Sequence, residues 1–302
     1  MNKSEDKASA PKSHVMLAYH GDAAFRRRFL AEIRKHEKND AIMRGTYGSL
    51  DGKGNWRGCA VGCSLRSLNR LADKPRGKTS EHSRYPKELG IPVELAHLED
   101  RLFEGMPADL ASGWPMRFSS AIRTSADLSL VWDRFSVWLL VDEKDGVIRF
   151  ANNHRTRDAI RGVAALFERR IAGETVTRAE WSEARSSSSS SASAAAAAAA
   201  AADADAASAS AYAYAYASAA AAAADADAAY ASAYAYAYAS AAAAAAADAD
   251  AYAAYAYASA SAAAAAAADA DAYASAARSL AFARQAEKLE ELLRAAPVRR
   301  AS

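Results

Sequence analysis

The residues best equipped for chemistry sit in Gly58-Cys59-Ala60-Val61-Gly62-Cys63, which holds both cysteines of the chain. A glycine-rich stretch, Gly45 to Gly58, precedes this motif. A helix opening near Cys59 would place free backbone amides and the positive helix end beside a thiol, lowering its pKa and supplying oxyanion donors. On a helix Cys59 and Cys63 are four residues apart and share a face. A nucleophile also needs a base, and His20 in Tyr19-His20-Gly21 and His82 in Glu81-His82-Ser83 both fall in expected loops. The plainest assignment is that both cysteines are small buried packing residues. The alternatives are a Cys/His catalytic site, a zinc site built from Cys59, Cys63, His20 and His82, or a redox pair. The Cys-x3-Cys spacing is looser than that of zinc knuckles.

Glu99, Asp100 and Glu104 supply a second group of functional side chains. Asp100 and Glu104 share one helical face, a spacing suited to metal binding or acid–base work. The simpler expectation is a solvated acidic face with Arg101 nearby. Gly48 to Lys53 does not make a phosphate loop. The spacing is short, and Gly54 follows the lysine where Ser or Thr is required.

The elements that must position these groups are helical. Asp22 can cap a helix carrying Phe25, Phe29, Leu30 and Ile33 to about Lys38. Residues 45–58 and 73–87 are expected loops. One helix runs from Cys59 through Leu65, Leu68 and Leu71. Another starts at Pro92, carries Leu95, Leu98 and Leu102, and stops at Gly105. A further helix begins near Ser125 or Asp127 and carries Leu128 to Leu139. Trp138–Val141 and Val147–Phe150 could instead pair as a hairpin, and helix is preferred. Residues 156–172 form an amphipathic helix. Thr177-Arg178-Ala179-Glu180 matches a capping box, with Val176 and Trp181 placed as a hydrophobic staple.

Beyond that cap the composition changes. Residues 192–277 are 58 Ala, 9 Ser, 8 Asp and 11 Tyr, with no large aliphatic residue to build a core. Asp-Ala-Asp recurs at Asp203, Asp225, Asp248 and Asp269, with spacings of 22, 23 and 21. The Ala-Tyr alternation has strand period, but alanine favours helix and the alternation changes phase between Asp225 and Tyr230. A period near 22 is two hendecads of helix. Projected on that helix, Asp225 to Ser240 leaves two alanine-only flanks, which suits side-by-side association. Expansion of a tolerated tract without a specific role is the competing explanation. Leu280 to Leu293 regains an amphipathic face.

The expected organisation is therefore mostly α. A disordered leader spans 1–13 and a globular helical head spans 14–176. An alanine-rich helical repeat of period about 22 spans 177–277, and an amphipathic C-terminal helix and tail span 278–302. The net charge of +2 divides into an acidic repeat, −8 over 192–277, and a remainder of +10. That asymmetry suggests at most weak, non-specific nucleic-acid binding, since no basic stripe is interleaved with aromatics. The polar residues 1–12 do not form a signal peptide. The alanine runs, broken by Asp, are too weakly apolar to span a bilayer. A cytoplasmic protein with reduced thiols and no membrane partner is expected.

The head resembles a set of uncharacterised bacterial and phage proteins. The resemblance is carried by Tyr19-His20-Gly21, Gly58 to Cys63, His82 through Tyr85, Leu89-Gly90-Ile91-Pro92, and Leu98-Glu99-Asp100 to Phe103-Glu104-Gly105. It covers about the first 180 residues and the C-terminal amphipathic helix, with alanine-rich segments of differing length between these parts in the relatives. It implies a head with a retained role and a repeat inserted into a helical region, and it transfers no catalytic residue. A structural or interaction protein, whose repeat mediates self-association or reach, is the leading functional expectation. A Cys/His-dependent enzyme in the head is the alternative, and an ice-binding alanine helix is a weaker one, lacking a threonine ladder.

Overall fold

The Asp22 carboxylate accepts from the amides of Ala24 at 2.7 Å and Phe25 at 2.8 Å, and so starts helix α1, Ala23–Lys38. The computed structural model describes residues 16–39, 41–74, 77–151, 154–184, 187 and 263–299. After α1, the glycine-rich stretch folds as a two-stranded antiparallel hairpin, β1 (Ser49–Leu50) and β2 (Trp56–Arg57), where only a loop was expected. Asp51 closes its turn by accepting from the amides of Lys53 and Asn55. Further helices among the described residues are α2 (Ala60–Leu71), α3 (Val93–Gly105), α4 (Ala108–Ala111), α5 (Trp114–Ala121), α6 (Val131–Val141), α7 (His154–Ile171) and α8 (Ala263–Ala295). Residues 178–184 are also helical, and Tyr85–Leu89, begun within the stretch expected to be loop, forms a π-helical turn. The described residues are mostly helical, as expected. None of their helices is long and apolar enough to cross a membrane.

One helix start differs from the sequence expectation, while the preference for helix over a hairpin at 138–150 agrees with the structure. The helix expected near Ser125 or Asp127 begins at Val131, because Ser125 is left-handed (φ 62°) and Ala126 and Asp127 are extended in bridges. Trp138–Val141 stays in α6, and Val147–Phe150 is a 3-10 turn rather than a returning strand.

Helices α1, α2, α3 and α5 enclose one core, α6 pairs with α7, and α8 packs on α3, α5 and α6. The last turns of α8 bury Phe282, Ala286, Leu289 and Leu293. Gly105 does more than stop α3: a Cβ there would lie 2.2 Å from the Phe282 ring. The Arg101 guanidinium lies over the other part of this contact, 5.6 Å from the Phe282 ring centroid. Past α8 the chain joins a small ladder. Leu17 bridges Asp127, and Ala126 bridges Val298. Asp127 donates its amide to Pro297 O at 2.8 Å, and Arg299 Nε donates to the Asp127 carboxylate at 2.7 Å.

The capping box forms as expected. The amide of Thr177 donates to Glu180 at 2.7 Å, and the Glu180 amide donates back to Thr177 Oγ1 at 3.3 Å. Trp181 is buried with its ring 4.9 Å from that of Phe167 on α7. Of the repeat, the backbone of 263–277 is helical and continuous with the C-terminal amphipathic part. The expectations for residues 1–13 and for 192–262 lie outside the described residues.

At the α6–α7 pairing, Asp133 has 1% side-chain exposure, with Arg170 Nε 3.3 Å away. Burial pushes its carboxyl up to about 6, against the pull of Arg170 and with a smaller push from Glu94 on α3. A raised native pKa means the folded state holds the proton more tightly. The stability it contributes is full below about pH 4 and is lost as pH rises through about 6, about 3 kcal/mol in all. Asp133→Asn should therefore gain on the wild type by about that amount between pH 4 and pH 7 in urea denaturation; parallel pH profiles would refute this. Leu289→Ala, which hollows the α8 contact, should cost about 2–5 kcal/mol in the same assay.

Candidate functional site

The glycine-rich loop is drawn tightly over the start of α2. The Cys59 amide donates to Thr46 O at 2.7 Å, and Gly58 bridges Ile42. Gly62 lies so close beneath the loop that a Cβ would sit 2.2 Å from Tyr47 O. This contact requires glycine and holds Tyr47 over the helix start. Cys59 is the N-cap of α2, and its Sγ accepts from the Gly62 amide at 3.4 Å.

Opposite the loop stands α3. Tyr47 donates its hydroxyl to Asp100 Oδ2 at 3.0 Å, and His82 Nε2 lies 3.4 Å from the same oxygen. The Tyr47 ring meets His82 edge-on, and His82 stacks on His97 with centroids 4.0 Å apart. Glu104, one turn beyond Asp100, is half-buried and accepts the Gly45 amide on both oxygens, at 3.0 and 3.1 Å. Cys59 Sγ, a carboxylate oxygen of Asp100 and one of Glu104 all lie within 4.8 Å of one another. Asp100 and Glu99 are 4% and 0% exposed, so the expected solvated acidic face is instead largely internal. Arg101 turns away to Phe282.

Glu99 and Cys63 belong to a neighbouring polar layer. Tyr85 donates its hydroxyl to Glu99 Oε2 at 2.7 Å, while Trp114 Nε1 donates to the backbone carbonyl of Glu99 at 2.9 Å. Burial pushes the Glu99 carboxyl up to about 8, which keeps it protonated near neutral pH. Cys63 Sγ donates to Gly58 O at 3.5 Å.

Both cysteines are free thiols, buried to 1% and 0% exposure. The thiol pKa moves opposite to the direction expected from a helix N-terminus. Burial pushes Cys59 up, Asp100 pushes it further, and the Gly62 amide opposes only in part. Burial and then Glu99 push Cys63 up. The imidazole of His97 is pushed down to about 3 by burial and by His82.

Of the four residues expected at a Cys/His site, the structure joins Cys59 and His82 through Asp100. Cys63 is in the adjacent layer. His20 is exposed, in a separate groove with Asp22, Phe25, Lys87 and Glu88. It follows Tyr19 in a left-handed turn, with φ 53° and 51°. Tyr47 and His97 were not anticipated. The spacing 97–100–104 places His97 on one helical stripe with both carboxylates, and that signal was available.

Native protein should label slowly with iodoacetamide near neutral pH at both cysteines, and rapidly once unfolded by denaturant. Fast labelling of Cys59 in the folded protein would show a thiolate that this geometry does not provide. No protein-family model, curated protein or solved structure matches this chain, so the chemistry of the site is read from its own geometry.

Proposed function

We propose that this is a structural or interaction protein, whose helical head holds both ends of the alanine-rich segment and offers that segment for self-association. One observation supports this above others: the chain on either side of the segment is anchored in the same head. On the leading side, Trp181 is buried against Phe167 behind the Thr177–Glu180 cap. On the trailing side, Phe282, Ala286, Leu289 and Leu293 of α8 are buried against α3, α5 and α6. A head built this way fixes where the segment leaves and where it returns. The alanine-only flanks of the hendecad projection then provide smooth surfaces on which neighbouring copies can approach closely. Burying alanine stabilises little per residue, so association requires several repeats acting together.

The Cys/His enzyme is the second reading. The convergence of Cys59 and His82 on Asp100 supports it. Against it stand the raised thiol pKa of Cys59 and the position of His20 outside the cluster.

Sedimentation velocity over a range of concentrations tests the proposal. The full chain should associate as concentration rises. A variant with residues 192–262 replaced by a Gly/Ser linker of equal length should stay monomeric with the head folded. A full chain that remains monomeric throughout the range would defeat the proposal.

A further inference from the structure

The geometry points to a binding site for one borderline divalent cation of the zinc class, held by Cys59 Sγ, Asp100 and Glu104 between the glycine-rich loop and α3. It is separate from the association role and does not depend on it. Three observations carry it.

The first is convergence. One sulfur and two carboxylate oxygens from three residues lie within 4.8 Å of one another. Donors around a four-coordinate zinc ion sit about 3.5 Å apart, given metal–ligand distances of about 2.0–2.3 Å. Closing this cluster on an ion takes a movement of about an ångström, within the range of side-chain rotation. The donors come from the N-cap of α2 and from successive turns of α3, so rigid elements position them.

The second is an unused acceptor. The Asp100 side chain is 5% exposed, and its Oδ1 has no hydrogen-bond partner, while Oδ2 accepts from the Tyr47 hydroxyl and lies 3.4 Å from His82 Nε2. A buried carboxylate oxygen without a donor is costly, and a cation bound there satisfies it.

The third is the set of groups that hold the donors in place. The Tyr47 hydroxyl holds Asp100, with His82 packed beside the same oxygen, and the Gly45 amide holds both oxygens of Glu104. Outer partners of this kind orient ligands and are a regular part of metal sites. His97 stacks behind His82 and restrains its ring.

The donor set selects the ion. A thiolate disfavours Mg²⁺ and Ca²⁺, which take oxygen ligands, and two carboxylates disfavour Cu⁺. Zn²⁺ and its spectroscopic substitute Co²⁺ accept both donor types. On binding, the ion takes the place of the Cys59 thiol proton, which passes to solvent. Glu104 is the most accessible of the three donors and marks the side of entry.

The full-length protein, stripped with a chelator and dialysed, is titrated with Co²⁺ and then with Zn²⁺. The expected result is a sulfur-to-cobalt charge-transfer band that saturates at one ion per chain and is displaced by Zn²⁺. Cys59→Ser keeps a good N-cap for α2. It should abolish the band and weaken Zn²⁺ binding by more than tenfold in calorimetry. Asp100→Asn should weaken Zn²⁺ binding comparably. Cys63→Ser should keep the band. Absence of the band in the unmutated protein would overturn the site without recourse to any variant. A band that survives Cys59→Ser but disappears with Cys63→Ser would overturn it as well.

Discussion

The burial of one face of α8 is the constraint on which the rest of the head depends. Most of that 33-residue helix is alanine, serine, aspartate and tyrosine, which cannot anchor it. Only its last turns carry Phe282, Leu289 and Leu293, and these fill the space between α3, α5 and α6. The fit is tight enough that Gly105 cannot carry a side chain. Helix α3 is thereby gripped from both sides, by α8 along one and by α2 with the glycine-rich loop along the other. The rotation of α3 about its axis, which decides where its carboxylates point, is set by a helix about 180 residues away in sequence.

That rotation separates two chemistries on adjacent residues. Successive helical positions point about 100° apart. Glu99 faces a dry interior, where Tyr85 caps it and burial keeps its proton. Asp100 faces the loop, where Tyr47, His82, Cys59 and Glu104 gather. A buried acid in the first environment is a neutral hydrogen-bonding group. In the second it lies among other polar groups, with one oxygen lacking a hydrogen-bond partner. The same residue class serves two purposes because the helix presents each member to different surroundings.

Several helices were legible in the sequence from local signals, whereas α4 and α5 were not anticipated. Asp22, the Thr177–Glu180 box and the apolar spacing of α2, α3 and α7 all act within a turn or two, and the structure places helices there. The hairpin was not legible, since its strands are two residues each and are set by the Asp51 turn. The start of α6 was missed because Ala126 and Asp127 are claimed by long-range bridges to Leu17 and Val298. Cys59, His82 and Asp100 were each singled out, but their meeting was not, and the simpler expectation for Asp100 was a solvated face. Asp100 reads as a surface residue until the loop at Tyr47 closes over it, and Gly62 permits that closure through space, not along the chain. The thiol pKa was misjudged for the same reason. A helix N-terminus can be read locally, whereas the depth of burial that outweighs it cannot.

The bridge ladder has a topological consequence. Leu17 and Val298 flank the same pair of residues, Ala126 and Asp127, on opposite edges. Neighbouring strands lie about 4.8 Å apart, so Leu17 and Val298 are separated by only about 10 Å across the ladder. A handful of residues would join them. The fold is therefore suited to circular permutation. A chain opened within the alanine-rich segment and sealed between 299 and 16 would carry α8 at its beginning and the Trp181 turn near its end. All the core-forming elements from α8 through α7 would then be contiguous, with the two halves of the segment hanging from the new termini.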